Sequence, residues 1–358
     1  GNSCGSAKGA EVTTAPLNKK MAALEPLVVT VSGAAGQIGY SLLPLIANGT
    51  TFGERKIHLR LLDINMGRVP EVLEGVKMEL EDGAYPNLVS VTCCVAELQK
   101  AFTGCDVYIA VGGFPRKKGM ERKDLIGKNA GIFSEQGAAI EEYASKDIKV
   151  VVIANPANTN CLILKQAAPS IPAENFTALT YLDHNRARSQ IALKLGVSTA
   201  AVKRTCIWGN HSSTQVPDAS NALVTVDGVT KAVPDALQDD AWLSTTFVTT
   251  VQKRGAAIIE ARQLSSAMSA ANAISGHLRT WLNTGTADGD FVSLAVMSDG
   301  SYGVAPGIVY SFPVECKGDG TYSIVQGLVL PKDKQEAMKA TEAELLQEKE
   351  FADTFIKA

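Results

Sequence analysis

The stretch Leu27 to Gly39, LVVTVSGAAGQIG, decides the fold. Its first six residues form a short run rich in β-branched side chains, which favours an extended strand. Glycines at 33, 36 and 39 follow at once, and Tyr40 to Ile46 then reads as a helix. Glycine between a strand and a helix lets the backbone turn tightly and approach a pyrophosphate, while the helix N-terminus faces the negative charge. The spacing is GxxGxxG rather than the commoner GxGxxG, so the loop alone is an incomplete argument for a dinucleotide site. Asp63 adds a second one. It closes the next apolar run, Ile57 to Leu62, and lies 24 residues after Gly39. A carboxylate there can accept both adenosine ribose hydroxyls and would repel a 2′-phosphate, which selects NAD over NADP.

Outward from this core, Val107 to Val111 and Lys149 to Ala154 read as further strands, with a helix over Ala130 to Ala144 between them. Strands alternating with helices predict a parallel sheet covered on both faces. The second half is less regular. It reads as one long helix from Thr246 to about Leu282, strand-like pieces between Gly303 and Leu330, and a charged helix from Pro331 onward. The simplest division is a flexible tail over 1–25, a nucleotide-binding domain over 26–178 and a catalytic domain over 179–358.

Composition narrows the class. The 358 residues are 46% hydrophobic and 20% charged, the balance of a soluble globular chain. A net charge of −3 gives no electrostatic basis for binding nucleic acid. Seven cysteines without a CxxC pair suit free thiols in a reducing compartment. No His/Cys/Asp cluster has ligand spacing, so no metal is expected. The tail opens Gly1-Asn2-Ser3-Cys4. An N-terminal glycine is the substrate for myristoylation, and Cys4 could carry a second chain, which would bring the protein to a membrane or an assembly partner. The motif departs at Gly5, where Ser or Thr is called for, and a disordered extension is the competing and favoured reading.

The candidate chemistry lies in two places. Residues 115–123, PRKKGMERK, hold five cations and one anion directly after an apolar strand ending in two glycines. Beside a nucleotide site such a loop suits a small dianion, with the glycines as hinges for closure. The other place is proton transfer. Among four histidines, His58 falls in an alternating strand and His277 in a helical stretch, both structural settings. His184 adjoins Asp183 in LDHNR, and His211 stands in WGNHSS; the residues alone do not decide between them. Asp183 and Arg186, three apart, share one face of a helical turn.

The ordered motifs GAAGQIG, LLDI, PRKKGMERKDL, NPANTN, LDHNRA, WGNHSSTQ and LSSAMSA resemble those of malate dehydrogenases, cytosolic type, from about Leu27 to Lys349. That resemblance implies a Rossmann-type parallel sheet joined to a mixed α+β catalytic domain. It also implies NAD-dependent oxidation of malate to oxaloacetate by a cytoplasmic homodimer. It makes His211 the proton acceptor and Asp183 its orienting partner. Arg186 would bind the C1 carboxylate, Arg122 polarise the carbonyl, Arg116 hold the second carboxylate and Asn155 contact the substrate oxygen near the nicotinamide. Cofactor contacts would come from Gly33, Gly36, Gln37, Ile38, Gly39, Asp63, Asn129, Gln136 and Asn155. Gly113, Tyr181 and Val216 depart from the pattern and touch only the finer substrate preference and subunit contact. Two rivals stand beside this reading. One is a related 2-hydroxy acid dehydrogenase with another substrate, which would leave the charge of Arg116 unpaired. The other is a structural or anchored subunit that kept the fold.

Overall fold

The computed structural model describes residues 25–115 and 120–356, so Gly1, Cys4 and Arg116 lie outside the described residues. The first half runs β1 (Leu27–Ser32), α1 (Gln37–Ala47), β2 (Ile57–Asp63), α2 (Val69–Asp82), β3 (Leu88–Val95) and α3 (Leu98–Phe102). It continues through β4 (Val107–Ala110), α4 (Arg122–Tyr143), β5 (Lys149–Val152), α5 (Ala157–Ala167) and β6 (Phe176–Ala178). Then come α6 (Tyr181–Leu195), β7 (Val202–Lys203), β8 (Cys206–Trp208), β9 (Val216–Asp218), β10 (Leu223–Val226) and β11 (Val229–Ala232). The remainder is α7 (Val233–Leu237), α8 (Asp240–Ser244), α9 (Thr246–Arg262), α10 (Met268–Arg279), β12 (Val292–Met297), β13 (Val309–Cys316), β14 (Tyr322–Ile324) and α11 (Lys332–Ile356).

Six parallel strands lie side by side in the order β3-β2-β1-β4-β5-β6. That is the strand order of the doubly wound Rossmann sheet, whose ligands sit at the carboxyl ends of the strands where the order reverses. Every side chain of β4 is buried, as a central strand covered by helices on both faces requires. The sheet does not end at β6. Ala178 pairs with Ala295 of β12 in the antiparallel sense, and β13 and β14 continue it to nine strands. One hydrophobic cluster therefore runs from Val29 and Leu42 through Trp208 and Trp281 to Phe312 and Leu345.

Where the structure differs from the sequence reading, a local bond explains it. The helix expected from Ala130 starts at Arg122, because Glu121 and Asp124 form a reciprocal capping box at its N-terminus. The single helix expected over Thr246 to Leu282 is two. Gln263 turns left-handed (φ 57°), Arg262 donates to the Ser265 carbonyl at 3.2 Å, and α10 restarts at Met268. Nothing in the sequence reading covers α2 and β3. Only Leu73, Val76 and Leu80 of α2 are buried, and β3 is an edge strand paired on one side. All six described cysteines are free thiols, five of them buried.

Three of the four histidines serve this scaffold. His58 Nδ1 lies 2.8 Å from Ser90 Oγ across β2 and β3. His184 and His277 are buried against Ser293 and Thr177 at 3.1 Å. Burial pushes both imidazoles down to about 3, with the charge of Arg188 adding to the effect at His184. The unfolded chain takes up a proton at each as pH falls below the ordinary 6.5, while the folded chain stays neutral. Stability is thus present above that pH and is lost on the way down, by at most about 1.4 kcal/mol per pH unit for each histidine. His277→Gln should lose less stability than the parent between pH 7 and pH 5 in urea titrations. Equal losses in both would show that His277 titrates alike in the folded and unfolded chains.

Candidate active site

Asp183 sits in the first turn of α6, where the helix dipole favours a carboxylate. Arg186 follows one turn later, and its Nη1 donates to Asp183 Oδ1 at 3.0 Å. His211 arrives from the loop between β8 and β9, and its Nδ1 lies 2.5 Å from Asp183 Oδ2. Asp183 is wholly buried, whereas the side chains of His211 and Arg186 keep 23% and 12% exposure. A ligand can therefore reach the imidazole and the guanidinium but not the carboxylate between them. Burial alone would push the Asp183 carboxyl up, but the charge and hydrogen bond of His211, with those of Arg186, outweigh it and hold the group ionised. An ionised acceptor fixes the imidazole with its proton on Nδ1, leaving Nε2 to exchange a proton with a ligand.

The loop that carries His211 is tied down on both sides. Gly209 and Ser311 exchange backbone hydrogen bonds at 3.2 and 2.9 Å, fastening the loop to β13. Gly209 has φ +91°, and a Cβ on it would stand 2.2 Å from Thr341 Cγ2, so α11 lies directly on this backbone. Asn158 of α5 accepts from the His211 amide at 2.9 Å. On the other flank, Glu344 of α11 accepts from Asn210, Ser212 and Thr214 at 2.9, 2.6 and 2.6 Å. Burial opposes its ionisation, but these hydrogen bonds and the charge of Arg122 hold its carboxyl below the usual range.

Of the other residues singled out in the sequence, Arg122 opens α4 and its Nε pairs with Glu348 of α11. Asn155 follows β5 at the carboxyl edge of the sheet and is exposed. Its carbonyl accepts from Asn129 Nδ2 at 3.1 Å. Asn129 is fully buried and also accepts from the Phe114 amide at 2.7 Å, so it fastens the start of the basic loop to the residues after β5. Gln136, one helical face along, accepts from Tyr108 at 2.7 Å. Gly113 stands where a Cβ would come 2.9 Å from Ala154 Cβ, while Tyr181 and Val216 lie in the core.

The glycine loop fits a dinucleotide. Gly33 has φ +63°, and a Cβ there would sit 2.7 Å from Gly112 Cα, so β1 and β4 approach as only glycine allows. Gly36 caps α1 without a side-chain bond and no acid occupies the first turn, which leaves the amides of Gln37, Ile38 and Gly39 for an anion. Asp63 ends β2 beside this turn, accepting from Ala35 N at 3.0 Å and Ile64 N at 2.9 Å. Each oxygen retains a second lone pair for a ribose hydroxyl.

Sequence reasoning passed over three residues that touch this constellation. Ser266 receives Arg186 Nη2 at 3.3 Å, Asn158 holds the His211 amide, and Glu348 holds Arg122. The available signals were the place of Asn158 within NPANTN and the pair of serines in LSSAMSA, which interrupts the helical pattern where the chain breaks between α9 and α10.

Comparison with known proteins agrees with the geometry. Residues 27–177 match the family model for the lactate/malate dehydrogenase NAD binding domain, and residues 180–356 match that for the lactate/malate dehydrogenase alpha/beta C-terminal domain. The chain is 55% identical over 339 residues to the cytoplasmic malate dehydrogenase of Rattus norvegicus, covering 93% of this chain and 99% of that one. The crystal structure of malate dehydrogenase from Naegleria fowleri is 43% identical with a TM-score of 0.87, over 93% of this chain and 99% of its own. Trichomonas vaginalis lactate dehydrogenase in complex with NADH and oxamate is 37% identical with a TM-score of 0.87, over 92% and 99%.

Asp63→Ser should weaken NADH binding at least tenfold, since a hydrogen bond to a charged acceptor contributes about 1.5–3 kcal/mol. Relative use of NADPH should rise. An unchanged NADH-to-NADPH ratio in steady-state assays would remove Asp63 from cofactor choice.

Proposed function

The chain belongs to the lactate/malate dehydrogenase family, and from that premise we propose that it reversibly oxidises malate to oxaloacetate with NAD. The observation that carries the reading is Asp183 held between His211 and Arg186, in a chain 55% identical to a cytoplasmic malate dehydrogenase. Residues 26–178 hold the cofactor, and 179–358 supply the proton-transfer pair and one clamp. Bound NAD supplies a two-electron acceptor that no side chain offers. His211 takes the hydroxyl proton at Nε2 as the C2 hydride departs, and gives it back as an acid in the reverse direction. Asp183 keeps the imidazole in one tautomer and stabilises the imidazolium that forms. Arg186 grips the C1 carboxylate, where a planar fork serves better than an ammonium. Arg122 polarises the carbonyl oxygen, Asn155 contacts the same oxygen, and Arg116 holds the second carboxylate. The products are oxaloacetate, the reduced cofactor and a proton on His211, so atoms and charge balance.

Likeness to a lactate dehydrogenase that binds oxamate favours one rival, a monocarboxylate substrate. Arg116 separates the two readings. Arg116→Gln should lower kcat/KM for oxaloacetate by a few orders of magnitude, because a desolvated charge pair is worth roughly 2–5 kcal/mol. Pyruvate turnover should fall much less. Parental pyruvate turnover exceeding that of oxaloacetate would overturn the malate reading, and equal losses on both would show that Arg116 does not read the second carboxylate.

The protein works in the cytoplasm, as its relatives' names say of them. It pairs as a homodimer, a reading supported by α9, which buries only Phe247 and Val251, and by exposed Ile259, Leu264 and Met268. Native mass spectrometry reads this proposal. A species of twice the 37.8 kDa chain mass is the expected result. A lone chain removes the dimer.

A further inference from the structure

Glu348 lies in the fifth turn of α11, far along the chain from every residue with a proposed role, and is only 6% exposed. Its Oε1 accepts from Arg122 Nε and, at 3.0 Å, from Asn210 Nδ2, and its Oε2 accepts from Thr159 Oγ1. A buried carboxylate survives only with such a full set of donors, and its removal from one of them leaves a charge uncompensated. The guanidinium it holds is not used up. Nη2 of Arg122, on the same edge as Nε, is buried and has no hydrogen-bond partner among the described residues. The side chain as a whole keeps 28% exposure, so the rest of the guanidinium stays open to a ligand.

Two carboxylate-held side chains therefore flank one loop. Asp183 holds one edge of His211, and Glu348 holds one edge of Arg122 while also gripping Asn210, the residue next to His211. We propose that Glu348 is a positioning residue for Arg122, fixing its Nε edge so that the exposed remainder of the guanidinium meets the substrate's carbonyl oxygen. The proposal rests on the reading of Arg122 as the group that polarises that oxygen. Glu348 touches neither substrate nor cofactor; it acts through Arg122, and through Asn210 it sets the distance between that arginine and His211. A carboxyl side chain matters as well as its shape, because a neutral amide at 348 would hold the guanidinium by a weaker bond without a counter-charge.

A double-mutant cycle tests this on the full-length enzyme. Glu348→Gln should lower kcat for oxaloacetate reduction about tenfold, with KM for oxaloacetate changed less and the Kd for NADH unchanged. In an Arg122→Gln background the same change should cost less than about twofold, since the group it acts through is gone. Should Glu348→Gln fold too poorly to assay, Glu348→Asp keeps the charge but withdraws it by one methylene, and its smaller loss should vanish in the same background. Full additivity of the two losses would overturn the proposal while leaving Arg122 in its role. A gain in kcat/KM on Glu348→Gln would also overturn it, showing that Glu348 competes with substrate for Arg122. An Arg122→Gln enzyme with parental kcat would overturn the reading beneath it, and the proposal with it.

Discussion

The ionised carboxylate of Asp183, wholly buried, is the constraint to which the rest of the site answers. Taking such a charge out of water costs several kcal/mol unless partners compensate it. Here the partners are the two groups that a hydride-transfer site has to hold still, an imidazole and a guanidinium. The compensation and the preorganisation are one arrangement. It needs α6 to start where it does, after β6, and it needs the β8–β9 loop fixed within hydrogen-bond reach across 28 residues of sequence. The antiparallel extension of the sheet meets the second need. β12 pairs with β6 and β13 pairs with β12, and Ser311 of β13 then holds Gly209. The nine-stranded sheet is thus the frame that keeps Asp183 and His211 at a fixed distance.

Legibility in the sequence followed the range of the forces involved. The cofactor half was readable because its signals are local. The run from Leu27, three glycines and an acid at the end of the next strand act within one βαβ unit, and the structure has them there. Helix boundaries were less readable because caps outrank periodicity, as Glu121 and Asp124 do for α4. The break at Gln263 left only the two serines of LSSAMSA as a trace in the sequence, because Ser266 receiving Arg186 is a tertiary fact. For the same reason the residues alone left His184 and His211 open as the proton-transfer histidine. Only the three-dimensional environment separates a fully buried imidazole held near Ser293 from a part-exposed one on Asp183.

The C-terminal helix shows the same limit in another form. Read as sequence, α11 is a charged surface helix with no chemistry. In space Thr341, Glu344 and Glu348 lie on one face, at i, i+3 and i+7, and that face grips residues 209–214. Buried acids on a helix are expensive, so their presence needs donors nearby, and the donors are Asn210, Ser212, Thr214, Thr159 and Arg122. Helix α11 thereby joins the first half of the chain, through α4 and α5, to the loop of the second half that carries His211.

These carboxylates also bear on how a dianion could be bound. Arg186 and Arg122 are each already paired to an acid of the protein, and Glu344 adds a further negative charge near Arg122. Neither described arginine brings a free positive charge to an incoming substrate; each brings oriented donors. Net compensation for two carboxylates must come from elsewhere. On the function proposed, Arg116 supplies one charge in both directions. The second is His211 in its protonated form when oxaloacetate is reduced, and the positive ring of the oxidised cofactor when malate is oxidised. The two sources alternate, so the substrate dianion meets the same total in each direction. A monocarboxylate would leave the charge of Arg116 without its carboxylate, and a charge left unpaired on binding is a strong discriminator.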